Sequence, residues 1–137
     1  VSSKPLKGSV FDLNQSPDAL PMMAVLGCFA EGETQLRNVE HARMKETDRI
    51  QVMQCELEKM GARITAVPDG LIIQESRLRG ASVDGHGDHR VVMALAVAGM
   101  NCPGATVIST AEAASITLPD FSRLVSELGG ALQVKED

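Results

Sequence analysis

Lys45, Glu46, Asp48 and Arg49 place two cations and two carboxylates within five residues, and the run leads into an apolar stripe of Ile50, Met53, Leu57 and Met60 at helical spacing. Lys45 and Arg49 stand four apart, and Glu46 and Arg49 three apart, so all three can project from one end of one helix. A second charged knot, Asp88-His89-Arg90, opens another helix. A guanidinium holds a carboxylate or phosphate through two parallel hydrogen bonds, and an ammonium holds a phosphate as a point charge. Two cation-bearing helix starts therefore suggest a site for an anionic substrate. The plainer reading is a solvated helix start with ordinary capping. Asp18 follows Ser16-Pro17 at the mouth of an apolar helix, where a carboxylate could accept a proton from a hydroxyl group. Its ordinary structural role there would be to complement the positive helix end. Glu46 lies between two cations that favour its charged form. To donate a proton it needs burial, or a bound anion, to raise its pKa again.

Asp84-Gly85-His86-Gly87-Asp88-His89 approaches the H-x-H-x-D-H ligand run of metallo-hydrolases, with Asp in the first place. His41 is the one other histidine, and further ligands for a first shell are lacking. The glycines fit close backbone approach to a ligand better than a metal site. Nucleotide-binding glycine loops and Ser/His/Asp or Cys/His signatures are missing from the sequence.

Composition narrows the classes further. The 137 residues suffice for one domain with a core, and 44% of them are hydrophobic. With three Phe and neither Trp nor Tyr, that core must be built from Leu, Val, Ile, Ala and Met. A formal net charge of −5 argues against nucleic acid as a partner. Cys28, Cys55 and Cys102, each in an apolar or helical stretch, read as buried thiols of a reducing, cytoplasmic compartment. No apolar run is long enough to span a membrane. The chain begins with Val rather than Met and is read as a piece of something longer.

The elements that must hold these residues follow a repeated order. Copy one is a strand at 9–13, a helix at 18–30 ended by Gly32, a strand at 34–39, a helix at 47–60 stopped by Gly61, and strands at 63–67 and 71–74 around the turn Pro68-Asp69-Gly70. Copy two is a strand at 81–84, a helix at 88–100, a strand at 105–109, a helix at 119–128 and a strand at 131–134. Asp18 and Asp88, Gly61 and Gly130, and Gly32 and Gly104 are separated by 69–72 residues, as a duplication would leave them. The helices around 20–29 and 91–100 are apolar nearly all round and should be buried. The fold class is α+β, a mixed α/β layer structure of two βαβαββ units, about 8–75 and about 80–137.

Ser16-Pro17-Asp18-Ala19, Leu36-Arg37-Asn38, Lys45-Glu46-Thr47-Asp48-Arg49, Asp88-His89-Arg90 with Met93-Ala94, and Leu118-Pro119-Asp120-Phe121 together resemble the 5-enolpyruvylshikimate-3-phosphate synthase family over nearly the whole chain. The related UDP-N-acetylglucosamine enolpyruvyl transferases share the phrase at Glu56–Ala62 but fit the charged motifs less well. The resemblance implies transfer of the enolpyruvyl group of phosphoenolpyruvate to the 5-hydroxyl of shikimate 3-phosphate, with release of phosphate and without a cofactor. It implies two domains of three βαβαββ units each, with the site in the cleft between them. This chain would be the last two units of the second domain, inactive alone and needing the missing N-terminal part or self-association.

By the same resemblance, Asp18 takes the hydroxyl proton and Glu46 protonates the methylene carbon. Lys45 contacts shikimate 3-phosphate, with His41 near it where many members have asparagine. Arg49 and Arg90 grip phosphoenolpyruvate, with His89 as a hydrogen-bonding support. Ile116 stands where many members carry a lysine that contacts phosphoenolpyruvate, and an apolar side chain cannot replace an ammonium. Two further readings are an anion-binding partner subunit of a split synthase and a metallo-hydrolase using the 84–89 run.

Overall fold

The structure, a computed structural model, describes residues 6–45 and 47–109. Its elements are β1 (Val10–Asp12), a 3-10 turn (Pro17–Ala19) running into α1 (Leu20–Phe29), β2 (Glu33–Arg37), a second 3-10 turn (Glu40–Met44), α2 (Arg49–Lys59), β3 (Arg63–Val67), β4 (Gly70–Gln74), β5 (Ser82–Asp84), α3 (His89–Met100) and β6 (Val107–Ser109). The helix expected at 119–128, the strand at 131–134, the ending at Leu118–Phe121, Ile116 and Glu46 lie outside the described residues.

The first half forms one sheet in the order β1-β2-β4-β3, with β1 parallel to β2 and the other neighbours antiparallel. In the second half β5 pairs β6 in parallel across α3, as β1 pairs β2 across α1. Both β-α-β connections therefore place an apolar helix between parallel strands. The β3–β4 hairpin turns at Pro68-Asp69, because Val67 pairs with Gly70. Gly70 is required there: a Cβ would lie 1.6 Å from the carbonyl oxygen of Leu36.

Local signals set the ends of α2. Asp48 caps it by accepting a bond from the Gln51 amide at 3.1 Å. Gly61, at φ 99°, ends it: the Gly61 amide donates to the Glu58 carbonyl and the Ala62 amide to the Leu57 carbonyl. This is the paired-bond helix stop that favours glycine. The sequence places the starts of α2 and α3 one or two residues early, because Asp48 and Asp88 are caps standing just outside their helices.

Ile50, Met53, Leu57 and Met60 are all fully buried, as the stripe requires. Each such burial is worth about 1.5–3 kcal/mol in transfer free energy. They pack with Leu20, Ala24, Val25 and Cys28 of α1 and Val91, Ala94, Leu95 and Ala98 of α3 in one core. The cysteines depart from expectation. Cys28 is buried, and burial pushes its thiol up to about 12, but Cys55 is exposed and Cys102 partly so. Cys55 lies two residues from Met53 and two from Leu57, which turns it to the outer face of α2 at 100° per residue. Among the described residues no helix is long and apolar enough to cross a membrane.

Candidate active site

Four charged residues from three separate segments converge beside the N-terminal ends of α1, α2 and α3. The Asp18 carboxylate lies 2.9 Å from Nη1 of Arg49, 3.7 Å from Nζ of Lys45 and 3.8 Å from Nη2 of Arg90. Pro17 and the 3-10 turn put Asp18 ahead of the helix proper, where its side chain faces the cations. Burial pushes its pKa up, but the charge of Lys45 and the bond and charge of Arg49 outweigh that and hold it below the usual carboxylate range.

Behind this cluster lies a buried joint. Asp88 accepts bonds from Nε of Arg49 at 2.8 Å, Nη2 of Arg49 at 3.1 Å, the Thr47 hydroxyl at 3.0 Å and the Arg90 amide at 3.0 Å. Burial alone would raise its pKa; the Arg49 bond and charge outweigh it and lower it. Asp88 thus caps α3 and ties that helix to the first residue of α2.

The joint engages Nε and Nη2 of Arg49, while its Nη1 stays with Asp18 in the charged cluster. The sequence suggests an open fork for an anion, but the Arg49 side chain is 2% exposed and its fork is bidentate on Asp88. Two helix starts with arginines look alike in sequence, yet packing puts one inside. Arg90, at 41% exposure, is the guanidinium that faces out, with Lys45 beside it. His89 opens α3, partly buried. His41, in the second 3-10 turn, has Nε2 3.1 Å from the Asn14 carbonyl oxygen, which ties it to the loop before Asp18.

The histidine run does not gather ligands. Asp84 accepts from the His86 amide, His86 reaches Glu56, and Asp88 serves Arg49. Among the described residues no group of three or more His, Cys, Asp or Glu is placed to hold a metal ion. The metallo-hydrolase reading therefore has no ligand set to rest on. A cavity of about 450 Å³ lined by Gly61, Arg63, Glu75, Ser76 and Arg77 lies at the opposite end of α2 and shares no residue with the charged cluster.

Sequence reasoning missed Asp88 as the anchor of Arg49, and it missed Glu56. The available signal for Glu56 was its place: three residues from Met53 and next to Leu57, a carboxylate there must turn partly inward.

The model of the family described as EPSP synthase (3-phosphoshikimate 1-carboxyvinyltransferase) matches residues 1–124. The chain belongs to the EPSP synthase family. It is 58% identical over 134 residues to the 3-phosphoshikimate 1-carboxyvinyltransferase of Ruminiclostridium cellulolyticum, covering 98% of this chain and 32% of that protein. A solved EPSP synthase from Acinetobacter baumannii superposes with a TM-score of 0.89 at 32% identity, over 96% of this chain and 32% of that one. The enolpyruvyl transferase NikO from Streptomyces tendae shares the fold, with a TM-score of 0.76 at 21% identity, over 96% of this chain and 30% of that one. The chain spans about a third of the length of the curated relatives it matches.

Proposed function

We propose that this chain forms one wall of an EPSP synthase active site, in which the enolpyruvyl group of phosphoenolpyruvate passes to the 5-hydroxyl of shikimate 3-phosphate. The observation that carries this reading is the convergence of Asp18, Lys45, Arg49 and Arg90 within hydrogen-bond or ionic distance, in a chain of this family. Lys45 and Arg90 hold the substrate anions. Asp18 takes the hydroxyl proton as the oxygen bonds to the central carbon of phosphoenolpyruvate. Glu46 delivers a proton to the methylene carbon. Loss of that proton and of phosphate then restores the double bond in the product.

Electrostatics link binding to basicity here. The cations that hold Asp18 below the usual range also make it a weak base. Substrate phosphate and carboxylate groups that draw Lys45 and Arg90 to themselves raise its proton affinity once both substrates are in place.

The rest of the cleft comes from another part of the family fold, supplied by the remaining chain or by association. Leu6, Val10 and Phe11 are exposed at or beside β1, an edge of the sheet, and offer an apolar surface for that contact. The enzyme works in the cytoplasm, in keeping with its free cysteines. The test is phosphate release from phosphoenolpyruvate and shikimate 3-phosphate. The chain alone should release none, and joined to the N-terminal two thirds of a relative it should turn over. In that assembly Glu46→Gln should lower kcat by about 10²-fold or more, as loss of a proton-transfer group does. Full activity in Glu46→Gln, or robust turnover by the chain alone, would overturn the reading.

A further inference from the structure

Glu56 is a carboxylate in the last turn of α2 with 1% of its side chain exposed. Its Oε1 accepts from the backbone amide of Asp84 at 2.8 Å and from Nζ of Lys59 at 2.7 Å, and its Oε2 lies 3.0 Å from Nε2 of His86. Burial would raise its pKa, and the bonds from Lys59, His86 and the Asp84 amide outweigh this and lower it. A buried charge is costly unless several donors compensate it, and here two of the three sit on the turn that leads into α3.

That turn needs holding. His86 has φ 55° and Gly87 φ 69°, and a side-chain-bearing residue in the left-handed region persists when its surroundings impose it. Backbone bonds from the Asp88 amide to the Gly85 carbonyl and from the Gly85 amide to the Ser109 carbonyl shape the turn, and two side chains add to them: the Asp84 carboxylate on the His86 amide, at 2.8 Å, and Glu56 on the imidazole. Seven residues earlier on α2, about 10 Å along the helix axis, Arg49 grips Asp88, and Asp88 in turn receives the Arg90 amide. The segment from Asp84 to Arg90 therefore lies along α2, fastened at both ends.

We infer that Glu56 is a positioning residue for the anion site: by clamping the Asp84–Gly87 turn to α2 it fixes the direction in which Arg90 presents its guanidinium. It touches no substrate in this scheme and acts through the turn. The inference rests on the reading that Arg90 receives phosphoenolpyruvate, and the experiment separates the two.

In the active enzyme carrying this segment, Glu56→Ala should raise KM for phosphoenolpyruvate about tenfold, since a tilted guanidinium forfeits about one charge-assisted bond to the anion. KM for shikimate 3-phosphate and kcat should stay within about threefold of the parent. Glu56→Gln keeps an oxygen for the Asp84 amide and should recover most of the loss. A merely structural role would lower the melting temperature without splitting the two KM values, or would spare KM altogether, and either result overturns the clamp. His86→Ala cuts only the outer, exposed end of the clamp, and His86 is not part of the core. It should raise the same KM by a smaller factor, and an unchanged value overturns the clamp even where Glu56→Ala fails to fold. If the parent enzyme turns over neither substrate, the functional reading has failed, and hydrogen exchange decides the clamp. Faster exchange of the Asp84 and Arg90 amides in His86→Ala, with α1 unchanged, supports it, and unchanged exchange sinks it.

Discussion

Asp88 and Asp18 both bind the guanidinium of Arg49, in opposite surroundings. At the joint between α2 and α3, Asp88 is fully buried and its two oxygens receive four donors. At the open mouth, Asp18 is 49% exposed and shares three cations, two of them at 3.7 and 3.8 Å. Saturated, short, buried bonds make a rigid support. Long, partial, solvated ones leave room for a substrate anion to compete. The same residue type thus becomes scaffold in one place and candidate reagent in the other, and the difference lies in burial and in donor count.

Breaking the joint should have the largest effect. Asp88→Ala leaves the Arg49 charge buried without its main partner, and loss of one member of a buried pair costs about 3–5 kcal/mol. Urea unfolding of the chain should show that loss, and a midpoint close to the parent's would mean the joint is not the support described here.

Asp18→Asn is the contrasting change. Stability should move by no more than about 1 kcal/mol, as for exposed pairs, while turnover of the completed enzyme falls by about 10²–10⁴-fold. A large stability loss with intact turnover would reverse the assignment of the two carboxylates. Arg90→Ala should follow, weakening phosphoenolpyruvate binding by about 1.5–3 kcal/mol through loss of a charge-assisted fork. Calorimetric titration with phosphoenolpyruvate reads this directly, and unchanged affinity would remove Arg90 from the anion site.

Acid should separate the two regions in another way. The folded pKa values of Asp88 and Glu56 lie below their ordinary values. Their contribution is therefore complete above the unfolded pKa and is lost as pH falls through the folded value. Stability should hold from neutrality to about pH 5 and decline below about pH 4. Asp88→Asn should flatten that decline, whereas Asp18→Asn should barely alter it because solvent screens the exposed group. The smallest effect sharpens the count of donors at the joint: Thr47→Val removes the 3.0 Å bond of its hydroxyl to Asp88 and should cost about 1 kcal/mol in thermal unfolding.

Much of the fold is legible in the chain. The stripe from Ile50 to Met60 places α2, Gly61 ends it, and Pro68-Asp69-Gly70 marks the hairpin, all through interactions spanning a few residues. The charged runs also mark the candidate site. What the sequence leaves open falls where distant segments meet. Arg49 and Arg90 carry the same signal, but Asp88, 39 residues from Arg49, takes the first and leaves the second outward. Cys55 sits in a helical stretch but on its outer face.

Over the described residues, then, the sequence by itself determined the element order, the apolar faces and which charged residues stand at helix starts. These depend on backbone hydrogen bonding and side-chain period within a turn or two. Only the tertiary structure decided which carboxylate is support and which faces the mouth, which arginine is open, and that Glu56 is a buried tie to the 84–87 turn. Those outcomes depend on α1, α2 and α3 packing into one core, which brings together residues tens of positions apart and strips water from some of them. Removing that water is what turns one ion pair into a joint and leaves its neighbour free to exchange partners.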